Sequence, residues 1–199
     1  MQKALALAII LTLYASPLRA NPHLDEEGYI RTWLVLAPVP VAAGATASEA
    51  VDQQQLPEEA ALTPKPGDRV SVGEKQRKWK AGTFKDFIVD YNAFIGAQTE
   101  NAAGYAVTYV HCDQDVKDLQ LSAAFNDFGK AYLNGKEVLK QTEGGALQKD
   151  RVSAPVTLKK GRNTLVIKTI NEAANFQACA RFKKADGSQF TDYTVQTSP

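Results

Sequence analysis

Several kinds of chemistry are missing from this chain. There is no Gly-x-Ser-x-Gly elbow to carry a serine nucleophile. His23 and His111 are the only histidines, and neither stands at zinc-motif spacing from a second His or a Cys pair. Asp127-Phe128-Gly129 spells the kinase metal-binding triplet, yet no Gly-rich loop or catalytic-loop motif accompanies it, so it reads as a turn. No two carboxylates are placed by sequence as a glycosidase pair. There is no internal repeat and no long helical period. After the first residues, no apolar run approaches the ~20 residues that span a bilayer.

What stands at the start is a leader. Met1-Gln2-Lys3 is basic, and residues 4–13 are apolar apart from Thr12. That length suits the h-region of a signal peptide and is too short for a membrane span. Leu18-Arg19-Ala20 offers a small residue at the cut, and cleavage after Ala15 or Ser16 remains open. No Cys follows the apolar run to take a lipid anchor. The expectation is a signal peptide over residues 1–20 and a single domain over 21–199. The mature protein is then secreted or periplasmic, with no stable membrane insertion after cleavage.

An excess of one charge is also lacking. Without Lys3 and Arg19, 21 basic residues face 22 acidic ones. Near-neutrality argues against nucleic acid as the main partner, which would demand an extended cationic face. Lys75, Arg77, Lys78 and Lys80 around Trp79 form the densest basic spot, and Lys159-Lys160 with Arg162 a smaller one. Both read as solvated turns or strand faces. Cys112 and Cys179 are the only cysteines. In an oxidising compartment an even count predicts one disulfide, worth up to ~4 kcal/mol for so long a loop, against the alternative of two buried thiols.

The rest of the chain reads as strands. Residues 29–36 form one, closed by Pro38 and Pro40. Residues 42–66 are a long surface excursion, rich in Ala, Gln and Glu, with a helical turn around Pro57-Glu58-Glu59-Ala60. Residues 105–111 are a strand with Tyr105, Val107 and Tyr109 on one face. Leu119, Leu121, Ala123 and Phe125 alternate over the next. Residues 129–133 and 136–139 make a hairpin through Asn134-Gly135, because a type I′ turn needs positive φ at both central residues. Residues 152–158, 163–170 and 176–182 follow, with an edge strand at 191–195. Many short strands between turn residues predict an all-β fold, an antiparallel β-sandwich or jelly roll.

The order of segments is specific. A Trp-bearing strand ends in Leu-Ala-Pro-Val-Pro. Then come Pro-Lys-Pro-Gly, Lys-Trp-Lys, the strand from Gly104 to Val110, Phe125-Asn126-Asp127-Phe128-Gly129, "YLNGKEV" and "LKKGRNTLVIK". Over about residues 28–192 this resembles the galactose-binding-like jelly-roll domains of secreted bacterial proteins, which also stand as accessory domains beside glycoside hydrolases. The resemblance implies two packed antiparallel sheets and, for some members, carbohydrate binding or a structural calcium ion. This chain has Asn126-Asp127 where two acids are common, and Phe176 where a Trp is often seen.

Candidate site residues follow from sugar chemistry. An aromatic plate takes the apolar ring face, and amide, acid and Arg groups bond the hydroxyls. Trp79, Tyr132, Asn126, Asp127, Asp150 and Arg151 supply those types; each also has a plain structural reading. Asp113, Asp115 and Asp118 are oxygen ligands suited to Ca²⁺, although the segment lacks the Gly and terminal Glu of an EF-hand loop and includes Lys117. His111 and Cys112, as strand neighbours, point to opposite faces and are poorly set up as a catalytic pair. The expectation is a non-catalytic exported module without a cofactor, apart from possible structural calcium. Its partner is a glycan or other envelope polymer, or alternatively another exported protein to which it docks.

Overall fold

The structure, a computed structural model, describes residues 21–199; the leader lies outside the described residues. Strands β1 (Thr32–Pro40), β2 (Arg69–Val72), β3 (Lys75–Lys78), β4 (Lys80–Thr83), β5 (Val89–Asp90), β6 (Ala102–Cys112) and β7 (Val116–Asn126) come first. They are followed by β8 (Phe128–Leu133), β9 (Lys136–Gln141), β10 (Val152–Leu158), β11 (Gly161–Asn171), β12 (Gln177–Lys184) and β13 (Thr194–Gln196). Two short helices, α1 (Ala47–Ala50) and α2 (Tyr91–Ile95), and a 3-10 turn at Glu59–Ala61 complete the described elements.

The all-β antiparallel sandwich is what the sequence predicts. A seven-stranded sheet runs β4-β1-β6-β11-β8-β9, with β13 also pairing β6. It faces a four-stranded sheet, β10-β7-β12-β5. Between them lie Trp33, Val35, Ala106, Val110, Leu121, Phe125, Leu165, Ile167, Phe176 and Phe182, all essentially buried. The period-2 alternation explains this layer: Leu119, Leu121, Ala123 and Phe125 of β7 all turn inward. Asn134 and Gly135 take φ of 52° and 80°, the positive pair that a type I′ turn requires. Residues 159–160 join β10, which pairs β7, to β11, which pairs β6, so this tight turn crosses between sheets.

Three sequence readings change. Pro38 does not end β1, which runs on to Pro40 and ends there; the register with β6 shifts between Leu36 and Val39, where a missing N–H is tolerated. The excursion is not free on the surface. Ala47, Ala50, Val51 and Leu56, with Val72 and Trp79 beyond them, pack on the outer face of the larger sheet against Leu34, Leu36, Tyr105, Tyr109, Tyr132 and Val166. It is a strap over a second apolar layer. A capping box starts α1: Thr46 Oγ1 accepts from the Glu49 N–H and the Thr46 N–H donates to Glu49.

The third change is the disulfide, which does not form: Cys112 and Cys179 are both buried free thiols. Strand parity is the reason. Ala178, Ala180 and Phe182 face the other sheet, so Cys179 faces away from it, packed with Tyr29 and Ala124. Cys112 lies in the layer between the sheets, at the far end of β6. Burial pushes the Cys179 thiol up to about 12.

Candidate functional site

The sequence-selected residues separate into three places. Trp79 and Tyr132 are buried under the strap, at 3% and 5% exposure, and present no open aromatic plate. Tyr132 is part of a polar cluster sealed there. Glu59 Oε1 accepts from Tyr132 Oη at 2.9 Å and from Lys168 Nζ at 3.0 Å, while Glu59 Oε2 accepts from Tyr105 Oη at 2.6 Å. Lys168 also donates to the Gln53 carbonyl. Burial pushes the Lys168 ammonium down, and the Glu59 carboxylate opposes it. The cluster clamps the strap to the sheet.

Asn126, Asp127 and Arg151 gather at a loop end. Gly144 lies against the Asp127 side chain, and Arg151 Nη2 donates to the Gly144 carbonyl at 3.0 Å. Asp127 Oδ2 accepts from the Glu172 N–H at 3.0 Å, and buried Asn126 ends β7. The Asp127 and Arg151 side chains are thus bonded to backbone groups of neighbouring segments.

Asp150, although next to Arg151, works on the outer face of the smaller sheet. It accepts from Tyr29 Oη and Arg181 Nε, each at 3.0 Å, and from Lys183 Nζ at 3.3 Å. Arg181 also lies 4.5 Å over the Tyr29 ring. Burial would raise the Asp150 carboxyl, but its hydrogen bonds from Arg181 and Tyr29 win and hold it below the usual range.

The calcium candidates do not converge, and no group of three metal-ligating side chains occurs among the described residues. Asp115 instead accepts from the Lys160 N–H at 2.8 Å and pairs with Lys159 at 3.2 Å, which organises the turn between the sheets.

Sequence reasoning missed one concavity among the described residues. A groove of about 1120 Å³ opens where the first described residues meet the C-terminal segment. Asn21 Nδ2 donates to the Tyr193 carbonyl at 2.9 Å, and the Arg31 N–H donates to the His23 carbonyl at 2.8 Å, which holds residues 21–23 in place. β13 pairs Thr194 with His111 and Val195 with Val110, which sets the opposite wall. Asn21, His23, His111, Asp113, Gln189 and Asp192 are among the side chains that line the groove. Phe190 and Tyr193, stacked at 5.8 Å and 29°, lie beneath it.

Two polar atoms here are buried without a hydrogen-bond partner among the described residues: His111 Nε2 and Tyr193 Oη. His23 Nδ1 is tied to Thr32 Oγ1 at 2.9 Å, which orients its ring. Cys112 is turned to the inner face of β6, where burial, Asp192 and Asp113 all push its thiol up. A thiolate nucleophile is therefore disfavoured beside His111. What the groove offers is hydrogen bonding in several directions. The only local signals in the sequence were an isolated His at each of two distant positions and the polar run after Gly187. Nothing in them announces that residues 21–23 and 189–196 meet.

The chain matches no family model, and no curated protein matches it. No helix among the described residues is long and apolar enough to cross a membrane.

Proposed function

We propose that this protein is an exported, non-catalytic binding module that holds a carbohydrate or similar hydroxyl-rich envelope polymer in the groove between residues 21–23 and 189–196. The carrying observation is that residues 21–23 and 189–196 close a groove whose walls bring Asn21, His23, His111, Asp113, Gln189 and Asp192 together. Amides, acids and imidazoles along the walls suit hydroxyls, which both donate and accept. The export leader and the resemblance to galactose-binding-like domains support the same reading.

Docking to another exported protein is the second reading, with residues 42–61 as an interaction or spacer segment. That segment is seated on the protein's own sheet. The test is retention of the mature chain on a panel of immobilised neutral polysaccharides. Retention on at least one member, weakened about tenfold by His111→Ala with an unchanged melting temperature, is the expected result. No retention on any member, or equal retention by the variant, would refute the reading.

A further inference from the structure

Three lysines stand in a row across the outer face of the larger sheet. Lys168 of β11 is directly opposite Lys130 of β8, and Lys130 is directly opposite Lys140 of β9. Neighbouring strands lie ~4.8 Å apart, so the three side chains spring from a line about 10 Å long. Like charges directly opposite one another are destabilising. On the other side of Lys168 the row continues into Tyr105 of β6. Leu34, Leu36, Val166 and Ile170 lie in the same outer layer, so the cations are set in an apolar surround.

The strap supplies the counter-charge. Residues 42–61 hold four acids, Glu49, Asp52, Glu58 and Glu59, and no Lys, Arg or His. Asp52 pairs with Lys130 at 2.7 Å and with Lys140 at 2.6 Å, and Glu59 pairs with Lys168 at 3.0 Å. From the sheet itself only Glu137 joins them among the described residues, at 2.9 Å from Lys130. Hydrogen bonds from Lys130 and Lys140 hold the Asp52 carboxyl down at about 2. Val51 and Leu56 bring the apolar half of the contact. Among the described residues no backbone-to-backbone hydrogen bond ties residues 42–61 to a strand; those bonds run within the segment, as from the Val51 N–H to the Ala47 carbonyl. Side-chain contacts hold the strap, so it can lift without breaking a strand ladder.

We propose that this face is a docking surface for an acidic, apolar peptide segment of a partner protein, and that the strap occupies it in cis until such a segment displaces it. The composition of the seat selects the occupant. A row of cations alone would suit any polyanion. Here the row is bordered by aliphatic side chains that Val51 and Leu56 cover, and a carboxylated sugar chain or a polyphosphate has no apolar groups to take their place. A peptide with two acids and two large aliphatic residues satisfies both halves, as the strap itself demonstrates. The contact surface is the face beneath the strap, and it shares no residue with the groove.

The probe is a synthetic peptide of residues 45–62 of this chain, carrying a fluorophore, and binding to residues 21–199 is followed by anisotropy. The unaltered protein should bind it weakly, because the strap competes from within. Asp52→Asn in the protein loosens the strap at its exposed rim and should tighten binding of the unaltered peptide about tenfold, by raising the open fraction. A peptide carrying both Asp52→Asn and Glu59→Gln should bind that variant about tenfold more weakly. Polygalacturonate at the same carboxylate concentration should compete poorly. In hydrogen exchange of the unaltered protein, the amides of Ala50 to Gln53 should exchange at least about tenfold faster than those of β6 and β11. Equal binding by the unaltered protein and Asp52→Asn, undiminished affinity of the neutralised peptide, or strap amides protected as long as those of β11 would overturn the proposal. Competition by polygalacturonate as strong as by unlabelled peptide would also overturn it, because the face would then read charge alone.

Discussion

Glu59 is the most informative single residue of the chain. Read in sequence, it sits in a Pro-Glu-Glu-Ala turn and looks solvated. In the structure it is 7% exposed and receives two phenol hydroxyls and the Lys168 ammonium. Removing one partner of a buried ion pair leaves the other charge unpaired, which costs about 3–5 kcal/mol. Glu59→Gln and Lys168→Met should each show a loss of that order in urea unfolding. The double variant Glu59→Gln/Lys168→Met should lose markedly less than the sum. Additive losses would mean that the two groups do not act as a pair. Sequence alone could not have placed Glu59, because its partners Tyr105, Tyr132 and Lys168 lie on three strands brought together by the sheet. Cys179 was more legible. The alternation of Phe176, Ala178, Ala180 and Phe182 already put it on the face opposite the inter-sheet layer. That parity argues against a bond to Cys112, and counting cysteines overrode it.

At the scale of elements, period-2 strands were readable and the strap was not. β7 and β10 follow their alternation and turn signals, and the Asn134-Gly135 hairpin follows from backbone chemistry. The strap has no period to read. Its buried residues, Ala47, Ala50, Val51 and Leu56, fall in a short helix and irregular chain, while Val72 ends β2 and Trp79 lies between β3 and β4. The resemblance to a known domain type carried no information about what covers the outer face. One close approach fixes how β7 and β8 meet. A Cβ added at Gly129 would lie 2.1 Å from the Phe125 ring, so the strand passes directly over it. Gly129→Ala should therefore destabilise by about 1–3 kcal/mol or more through overpacking. Adding Phe125→Leu should recover part of that loss in thermal unfolding. An undiminished loss in the pair would point to backbone strain instead.

For the whole molecule, tyrosine burial sets the alkaline limit. Tyr29, Tyr91, Tyr105, Tyr132 and Tyr193 are pushed up first of all by burial, and Tyr109 likewise to about 12. Each keeps its proton in the folded protein above pH 10, where the unfolded chain gives its proton up. The unfolded state then binds fewer protons, so stability falls as pH rises through 10 and beyond. Tyrosine ionisation, followed by ultraviolet absorbance, should lag behind free tyrosine and coincide with loss of β-sheet circular dichroism. Ionisation near pH 10 with the sheet intact would contradict the packing described here.

The two ends of the described chain create the groove, and neither end hints at it alone. The direct test of the functional account is a titration of isotope-labelled residues 21–199 with neutral oligosaccharides, followed by backbone amide shifts. The account predicts shifts concentrated at residues 21–23, His111 and 189–196, with Trp79 and Tyr132 unmoved beneath the strap. Shifts confined to another surface, or none with any sugar tried, would contradict it.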